Sequence, residues 1–422
     1  MASPEGIVVL HRYWNAPGGS QMVCASAAHS FRSLGLKPVL ASMASLKLEN
    51  YVTWYGIDLS GLEVVRPKFF PRPSGLLSRP FVWIPAKAAL KKTRAHLLFS
   101  DESTYKPLLN SFPDLKVIEY VHFPIEALIK PEYRELGFYY KDDPSISERY
   151  NRFPMNAYWW AYTRLVNHYN RDDPFRSAKA VIANSKWTAG VVKKIFGKEP
   201  IVINPPLPPS VQTLEKIPPF EDRKNAVLMV GRFNPRKNYE WAVEKIGKPL
   251  QRLGAKLLII GSSTTESQRQ YSEAVANRAK AEGLKVAIKE NSQYDGESAF
   301  GENADIVLLP NTPRSVINSI ADKSKVFLHS TENEHWGIAI AEAMARGLPV
   351  VLHESGGAWH ELADDGQSAI GYKTPAEALT SIEKLLTDAA LWQLMSTKSV
   401  ERAKALTLKE FQKSLDQILK TI

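Results

Sequence analysis

"STENEHWGIAIAEAMARGLPVVLHESGG", residues 330–357, reads as a buried helix feeding a buried strand. Ile338, Ala339, Ile340, Ala341, Ala343 and Met344 make the helix apolar almost all round. Gly347 stops it, and Leu348 to Leu352 is the strand. Charged side chains in such a setting need a reason. Glu334 lies just before a helix start near Gly337, and Glu342 lies inside the helix, eight residues on. Eight helical residues span about 12 Å. That is too far for two carboxylates flanking one bond, and suits gripping two ends of a ligand. Between the glutamates, the N–H groups around Gly337, Ile338 and Ala339 form an anion site at a helix N-terminus. The plainer alternative is a turn glutamate plus a paired, partly buried one.

The surroundings repeat the strand–helix alternation. Short apolar runs stand at 6–11, 37–42, 62–65, 96–100, 116–122, 179–185 and 201–204, then at 226–231, 256–261, 285–288, 305–309, 325–330 and 349–353. Near-continuous apolar strands alternating with helices imply parallel sheets covered on both faces. Between the two sets lies "NPPLPPSVQTLEKIPPFEDRKN", whose prolines disfavour helix and sheet and predict an extended linker. The predicted fold is α/β, two doubly wound Rossmann-like domains facing a cleft. The predicted boundaries are 1–205, a linker at 206–225, 226–400, and a C-terminal helix at 401–422. That helix carries Leu408, Phe411, Leu415 and Ile418 on one stripe and is expected to pack back on the first domain.

Ligands of such sheets bind beyond the carboxyl ends of the strands, and the chemistry-bearing residues fall there. In "VLMVGRFNPRKN", Arg232 and Lys237 follow a strand and precede a helix, placed for a diphosphate. A solvated basic loop is the alternative. With the two glutamates, the order becomes polar group, anion, polar group, which matches the sugar, diphosphate and ribose of a nucleotide sugar. Gly18 and Gly19 sit at the first strand–helix junction, where glycines let a phosphate approach the backbone. "SGG" at 355–357 has the same context in the second half. His122 ends the strand in "EYVHFP" and is expected either to face substrate or to be structural.

The chain has 54 Lys and Arg against 44 Asp and Glu, a net charge of +10. That points to an anionic partner: a phosphate-bearing substrate, a membrane surface or nucleic acid. The 44% apolar content of a 422-residue chain excludes disorder and implies two domains. The single cysteine, Cys24, excludes an internal disulfide framework. The N-terminus lacks the marks of a leader, and no apolar run approaches the roughly 18 residues of a spanning helix. A soluble or membrane-surface protein is expected. From 64 to 100 there are eight basic residues, among them Arg72, Arg79, Lys91 and Lys92, and no acidic one. Phe69, Phe70, Phe81 and Trp83 are interleaved. This composition fits a membrane interface, a stacking surface for single-stranded nucleic acid, or aromatics packed into the first domain.

"ENEHWGIAIAE" resembles the E-x7-E motif of the retaining GT-B glycosyltransferases of family 4. "VGRFNPRKN", "YVHFP", "ANSKWTAG", "INPP" and "PVVLHESGG" follow in the family's order, from about residue 6 to 420. "YVHFP", "NSKWT" and "NEHWGIAIAE" are particularly similar to the mannosyltransferases that extend dolichol-linked oligosaccharide with GDP-mannose. The resemblance implies that Glu334 holds donor-sugar hydroxyls and Glu342 the ribose. Arg232 and Lys237, with the Gly337–Ile338 helix start, would neutralise the diphosphate. Gly18 and Gly19 would approach the phosphates, and His122 the sugar on the acceptor side. It also implies no metal and no cofactor beyond the nucleotide sugar. The acceptor would be a polyprenyl- or dolichyl-linked glycan, reached on the cytoplasmic face of a membrane through Arg79, Trp83, Lys91 and Lys92. Two departures stand out. The glycine loop continues "SQMV" without the charged residue common in the family, and "LLPNTPRSV" (308–316) shows no base-specific pattern. A UDP- or ADP-sugar enzyme with a soluble acceptor, and a single-strand nucleic-acid-binding protein, are the alternatives.

Overall fold

The computed structural model describes residues 5–68, 75–143, 146–147, 150–290 and 296–422. Phe69, Phe70 and Arg72 lie outside the described residues. The chain forms two compact units, one of residues 1–210 with 407–422, the other of residues 211–406.

The first unit is built on a seven-stranded sheet of order β3-β2-β1-β4-β5-β6-β7. Its strands are β1 (Gly6–Leu10), β2 (Lys37–Ala41), β3 (Glu63–Val65), β4 (Leu97–Ser100), β5 (Lys116–Val121), β6 (Ala180–Ala183) and β7 (Ile201–Val202). Every pairing is parallel. β4 and β6 are buried along their whole length, as strands covered on both faces must be. Helix α1 (Gly19–Ser33) buries Met22 to Ala28 without a break. A solvent-facing helix would show a polar stripe there. The C-terminal helix, Leu408–Thr421, packs on α1 and covers the side that would face solvent. Thr407 caps that helix by accepting the Glu410 N–H, and Phe411, Leu415 and Ile418 are its buried face. Each such side chain contributes roughly 2 kcal/mol by leaving water.

Between β5 and β6 runs α2 (Met155–Tyr169), with Trp159, Tyr162 and Val166 in a local core with Ile125 and Ile129. A buried ion cluster ties this insertion to the sheet. Arg171 donates to Glu119 at 3.0 Å and also to Glu126, Asn170 donates to Glu126 at 2.7 Å, and the Tyr105 hydroxyl donates to Glu119 at 2.6 Å. Two carboxylates on one guanidinium persist in the interior because each also accepts from a neutral donor.

The second unit has its own parallel sheet of order β10-β11-β9-β8-β12-β13-β14. Its strands are β8 (Lys224–Val230), β9 (Lys256–Gly261), β10 (Val286–Ile288), β11 (Ile306–Pro310), β12 (Ser324–His329), β13 (Val350–His353) and β14 (Ile370–Tyr372). The edge strand β14 has no counterpart among the predicted runs, because three residues with a central glycine carry no periodicity. The helices that bear on function are α3 (Tyr239–Arg252), α4 (Arg314–Lys323) and α5 (Ile338–Ala345).

The proline-rich stretch 206–225 is shared between the units. Ser210 N–H donates to Tyr55 O in the first unit, and Leu214 N–H to Ala345 O in the second. Arg223 is buried, and its guanidinium donates to the carbonyls of Ala321, Ser324 and Arg346 at 2.9–3.1 Å. These carbonyls lie at the carboxyl ends of α4 and α5, where a cation is favoured. One side chain thus fixes both helices that carry the candidate site.

Candidate functional site

The site of the second unit is assembled at the carboxyl ends of β8 and β12. β8 runs into Gly231, where an added Cβ would stand 2.8 Å from Tyr239 Oη and 3.2 Å from Lys237 Cε. The missing side chain lets the Lys237 stem lie over the backbone. A Cβ at Gly261, at the end of neighbouring β9, would collide with the Gly231 carbonyl. Beyond Gly231 the chain makes a single 3-10 turn, Pro235–Lys237, capped by Asn234, whose side chain accepts the Arg236 N–H. Asn238 then takes a left-handed conformation (φ 55°) that turns the chain into α3. Lys237 is held at this corner, and its carbonyl accepts the Ser330 hydroxyl at 2.7 Å.

Glu334 lies opposite. Its Oε2 accepts from Lys237 Nζ at 2.7 Å and from His329 Nε2 at 3.0 Å. A carboxylate oxygen only accepts, so His329 carries its proton on Nε2. Burial alone would raise the Glu334 pKa, but the Lys237 charge and the His329 hydrogen bond overcome it. The carboxyl is held well below its ordinary value. Burial and the same lysine lower the pKa of His329, against the pull of Glu334. The resting state is therefore a carboxylate beside a neutral imidazole. Oε1 of Glu334 has no partner among the described residues, whereas Oε2 accepts from both neighbours.

The loop under Glu334 is braced from β13. Asn333 N–H donates to Ser355 Oγ at 2.8 Å, and Ala358 N–H to Glu334 O at 3.1 Å. Gly356, at φ 77°, would carry a Cβ only 2.6 Å from Glu334 O. "SGG" thus admits a neighbouring backbone segment, where the sequence suggested a phosphate.

Gly337 is left-handed (φ 88°) and caps α5. Ile340 and Ala341 donate back to its carbonyl, which leaves the Ile338 and Ala339 N–H groups without intrahelical acceptors. Along the same helix, buried Glu342 accepts from Arg314 Nη1 at 2.7 Å. Arg314 begins α4, within the stretch in which the sequence showed no pattern. An arginine at the start of a short helix carries no local sequence signal. A small cavity lined by Val230, Arg314, Phe327, Ala339 and Glu342 opens beside this pair. Arg232 is exposed and has no ion-pair partner among the described residues, so its guanidinium is open to an anion.

In the first unit, Gly18 is extended (φ −179°) and Gly19 opens α1. Extended backbone is open to any residue, and a Cβ at Gly18 would meet only the end of the Gln21 side chain, 2.4 Å away. Gly18 N–H donates to Tyr55 Oη at 2.7 Å, and the Tyr55 hydroxyl donates to Gly18 O at 3.0 Å, which pins the turn. His122 follows β5 with its Nε2 at 3.2 Å from Asp101 Oδ2. The basic–aromatic stretch divides. Phe81 and Trp83 pack against the core of this unit. Arg79 pairs with Glu102 at 2.8 Å and Lys92 with Glu63 at 2.5 Å, while Lys91 is exposed.

Residues 210–404, nearly the whole second unit, match the family model described as Glycosyl transferases group 1. The GDP-Man:Man(3)GlcNAc(2)-PP-Dol alpha-1,2-mannosyltransferase of Dictyostelium discoideum is 24% identical over 277 residues, covering 62% of this chain and 50% of that protein. The alpha-1,3/1,6-mannosyltransferase ALG2 of Kluyveromyces lactis is 24% identical over 300 residues, covering 65% of this chain and 54% of that protein. The chain spans about half the length of these curated relatives. Among solved structures, a glycosyltransferase from Rickettsia africae superposes with a TM-score of 0.66 at 14% identity, over 99% of this chain and 98% of that one. Anabaena Alr3699/HepE in complex with UDP-glucose does so with 0.66 at 14% identity, over 99% and 100%. At these identities the likeness is one of fold, and the fold is GT-B.

Proposed function

We propose, from a second unit of the group 1 glycosyl transferase type on a GT-B fold, that the chain is a retaining glycosyltransferase. It moves mannose from GDP-mannose to a polyprenyl-linked glycan at the cytoplasmic surface of a membrane. The observation that carries this reading is the Lys237–Glu334–His329 cluster beside the free N–H groups of α5, with Glu342–Arg314 farther along the helix. Lys237, Arg232 and the Ile338 and Ala339 N–H groups would receive the diphosphate, whose charge grows as the glycosidic bond breaks. Fixed donors at such a place are worth about 3 kcal/mol each in the transition state. Oε1 of Glu334 would accept from sugar hydroxyls near the reacting carbon, and Glu342, oriented by Arg314, from the ribose. Front-face attack by the acceptor hydroxyl would retain the anomeric configuration. The reading uses no metal, since the cations take its place at the diphosphate.

The donor and acceptor assignments draw on the names of the two mannosyltransferase relatives. Among the described residues no helix is long and apolar enough to cross a membrane, so the surface contact would run through Lys91 and its neighbours. The test is transfer of labelled mannose from GDP-mannose into a short-chain polyprenyl diphosphate glycan. Label in the lipid phase that depends on Glu334 supports the reading. Transfer only from UDP-sugars, or only to soluble sugars, replaces donor or acceptor and keeps the site.

A further inference from the structure

Three neighbouring strands of the first unit, β1, β4 and β5, each end in a residue that joins one buried cluster. His11 follows β1, Asp101 follows β4 and His122 follows β5. His11 Nδ1 lies 2.8 Å from Asp101 Oδ2, and His122 Nε2 lies 3.2 Å from the same oxygen. The Asp101 side chain is 3% exposed and that of His122 28%. Cys24, from α1, completes the group, its sulfur within 4.8 Å of the His11 and Asp101 ligand-type atoms. Burial and the Asp101 charge keep it a thiol. That spacing could hold a metal, but the carboxylate already accepts from His11 and His122. The two imidazoles hold Asp101 ionised despite its burial, with its pKa pushed far down.

A carboxylate accepts and never donates, so both imidazole nitrogens facing it carry protons. His11 is then protonated on Nδ1. Its Nε2 is buried without a partner among the described residues, which costs less as a lone pair than as a charged donor. His122 is protonated on Nε2. Its other nitrogen, Nδ1, has no partner among the described residues and is the lone-pair atom of the neutral ring. The backbone of His122 is also fixed, since Asn184 Nδ2 donates to its carbonyl at 3.0 Å, and its ring leans on Tyr120 with centroids 5.1 Å apart.

We propose that Asp101 is a positioning residue that locks His122 as an Nδ1 acceptor, so that this site takes a hydroxyl group of the substrate and not an anion, with His11 bracing Asp101 from behind. This deepens the transferase reading and rests on it for the identity of the hydroxyl-bearing substrate.

The experiment is two-bond proton–nitrogen correlation NMR on the full chain labelled with 15N-histidine, with His122→Gln to assign the signals. The lock requires His122 with its proton on Nε2 and His11 with its proton on Nδ1. A wild-type His122 protonated on Nδ1 overturns it. Asp101→Leu removes the shared acceptor at similar volume, so His122 is no longer held in one tautomer and its Nδ1-protonated form appears. Two unchanged tautomers in that folded variant also overturn the lock. In turnover, Asp101→Leu lowers kcat about tenfold, the worth of one hydrogen bond, with donor binding unchanged. Unchanged kcat would overturn the role. A chain that binds no nucleotide sugar sinks the transferase reading, and the tautomers still decide the lock.

Discussion

Lys237 Nζ stands 2.7 Å from Glu334 Oε2 across 97 residues of sequence. The pair is the hinge of the account, because the lysine holds the glutamate charged and is itself a cation that a diphosphate can claim. Glu334→Gln keeps the shape and removes the charge. Turnover falls about 100-fold, while the circular dichroism spectrum is unchanged. Wild-type turnover would remove Glu334 from the reacting centre.

Lys237→Ala takes away a charge-assisted contact. Nucleoside diphosphate affinity drops between about 10- and 100-fold, read by calorimetric titration. Affinity equal to wild type would mean that the lysine serves Glu334 alone.

Much of this was legible because it is local. An apolar helix carrying two glutamates, and a strand that runs through a glycine into "RFNPRKN", reveal their chemistry within a dozen residues. The two parallel sheets followed from strand runs too apolar to be half-exposed. What could not be read was assembled across strands. Asp101 and His11 are 90 residues apart and meet only because β1 and β4 pair. Arg314 finds Glu342 across 28 residues through the packing of two helices. Trp83 was ambiguous because composition does not say which way an aromatic ring faces. The structure turns it toward the core and leaves the charge of Lys91 at the surface.

The cluster also sets a pH dependence. His329 has its pKa lowered from 6.5 by burial and Lys237. Below 6.5 the unfolded chain therefore binds more protons than the folded one, and stability falls as pH falls through that window. Glu334, depressed from 4.5, contributes stability above that value that is lost on further acidification. His329→Gln keeps a donor to Glu334 and cannot titrate. Melting curves between pH 7 and 5 should decline less steeply for this variant than for wild type. Equal slopes would contradict the buried neutral histidine.

Reversing charge at Lys91 and Lys92 tests the membrane surface. Each cation near an anionic bilayer is worth about 1 kcal/mol, so the double glutamate variant should lose about tenfold or more in co-sedimentation with anionic vesicles. No change would return this patch to a purely structural role.

The most direct measurement is thermal unfolding titrated with GDP-mannose, UDP-glucose, UDP-N-acetylglucosamine, GDP and UDP. A ligand at 100 times its Kd adds about 2.7 kcal/mol to the state it binds, which raises the midpoint of a unit of this size by roughly 5–10 °C. That rise is expected with GDP-mannose and GDP, and a clearly smaller one in Lys237→Ala. A chain whose midpoint moves with none of the five would contradict a nucleotide-sugar site at Lys237 and Glu334.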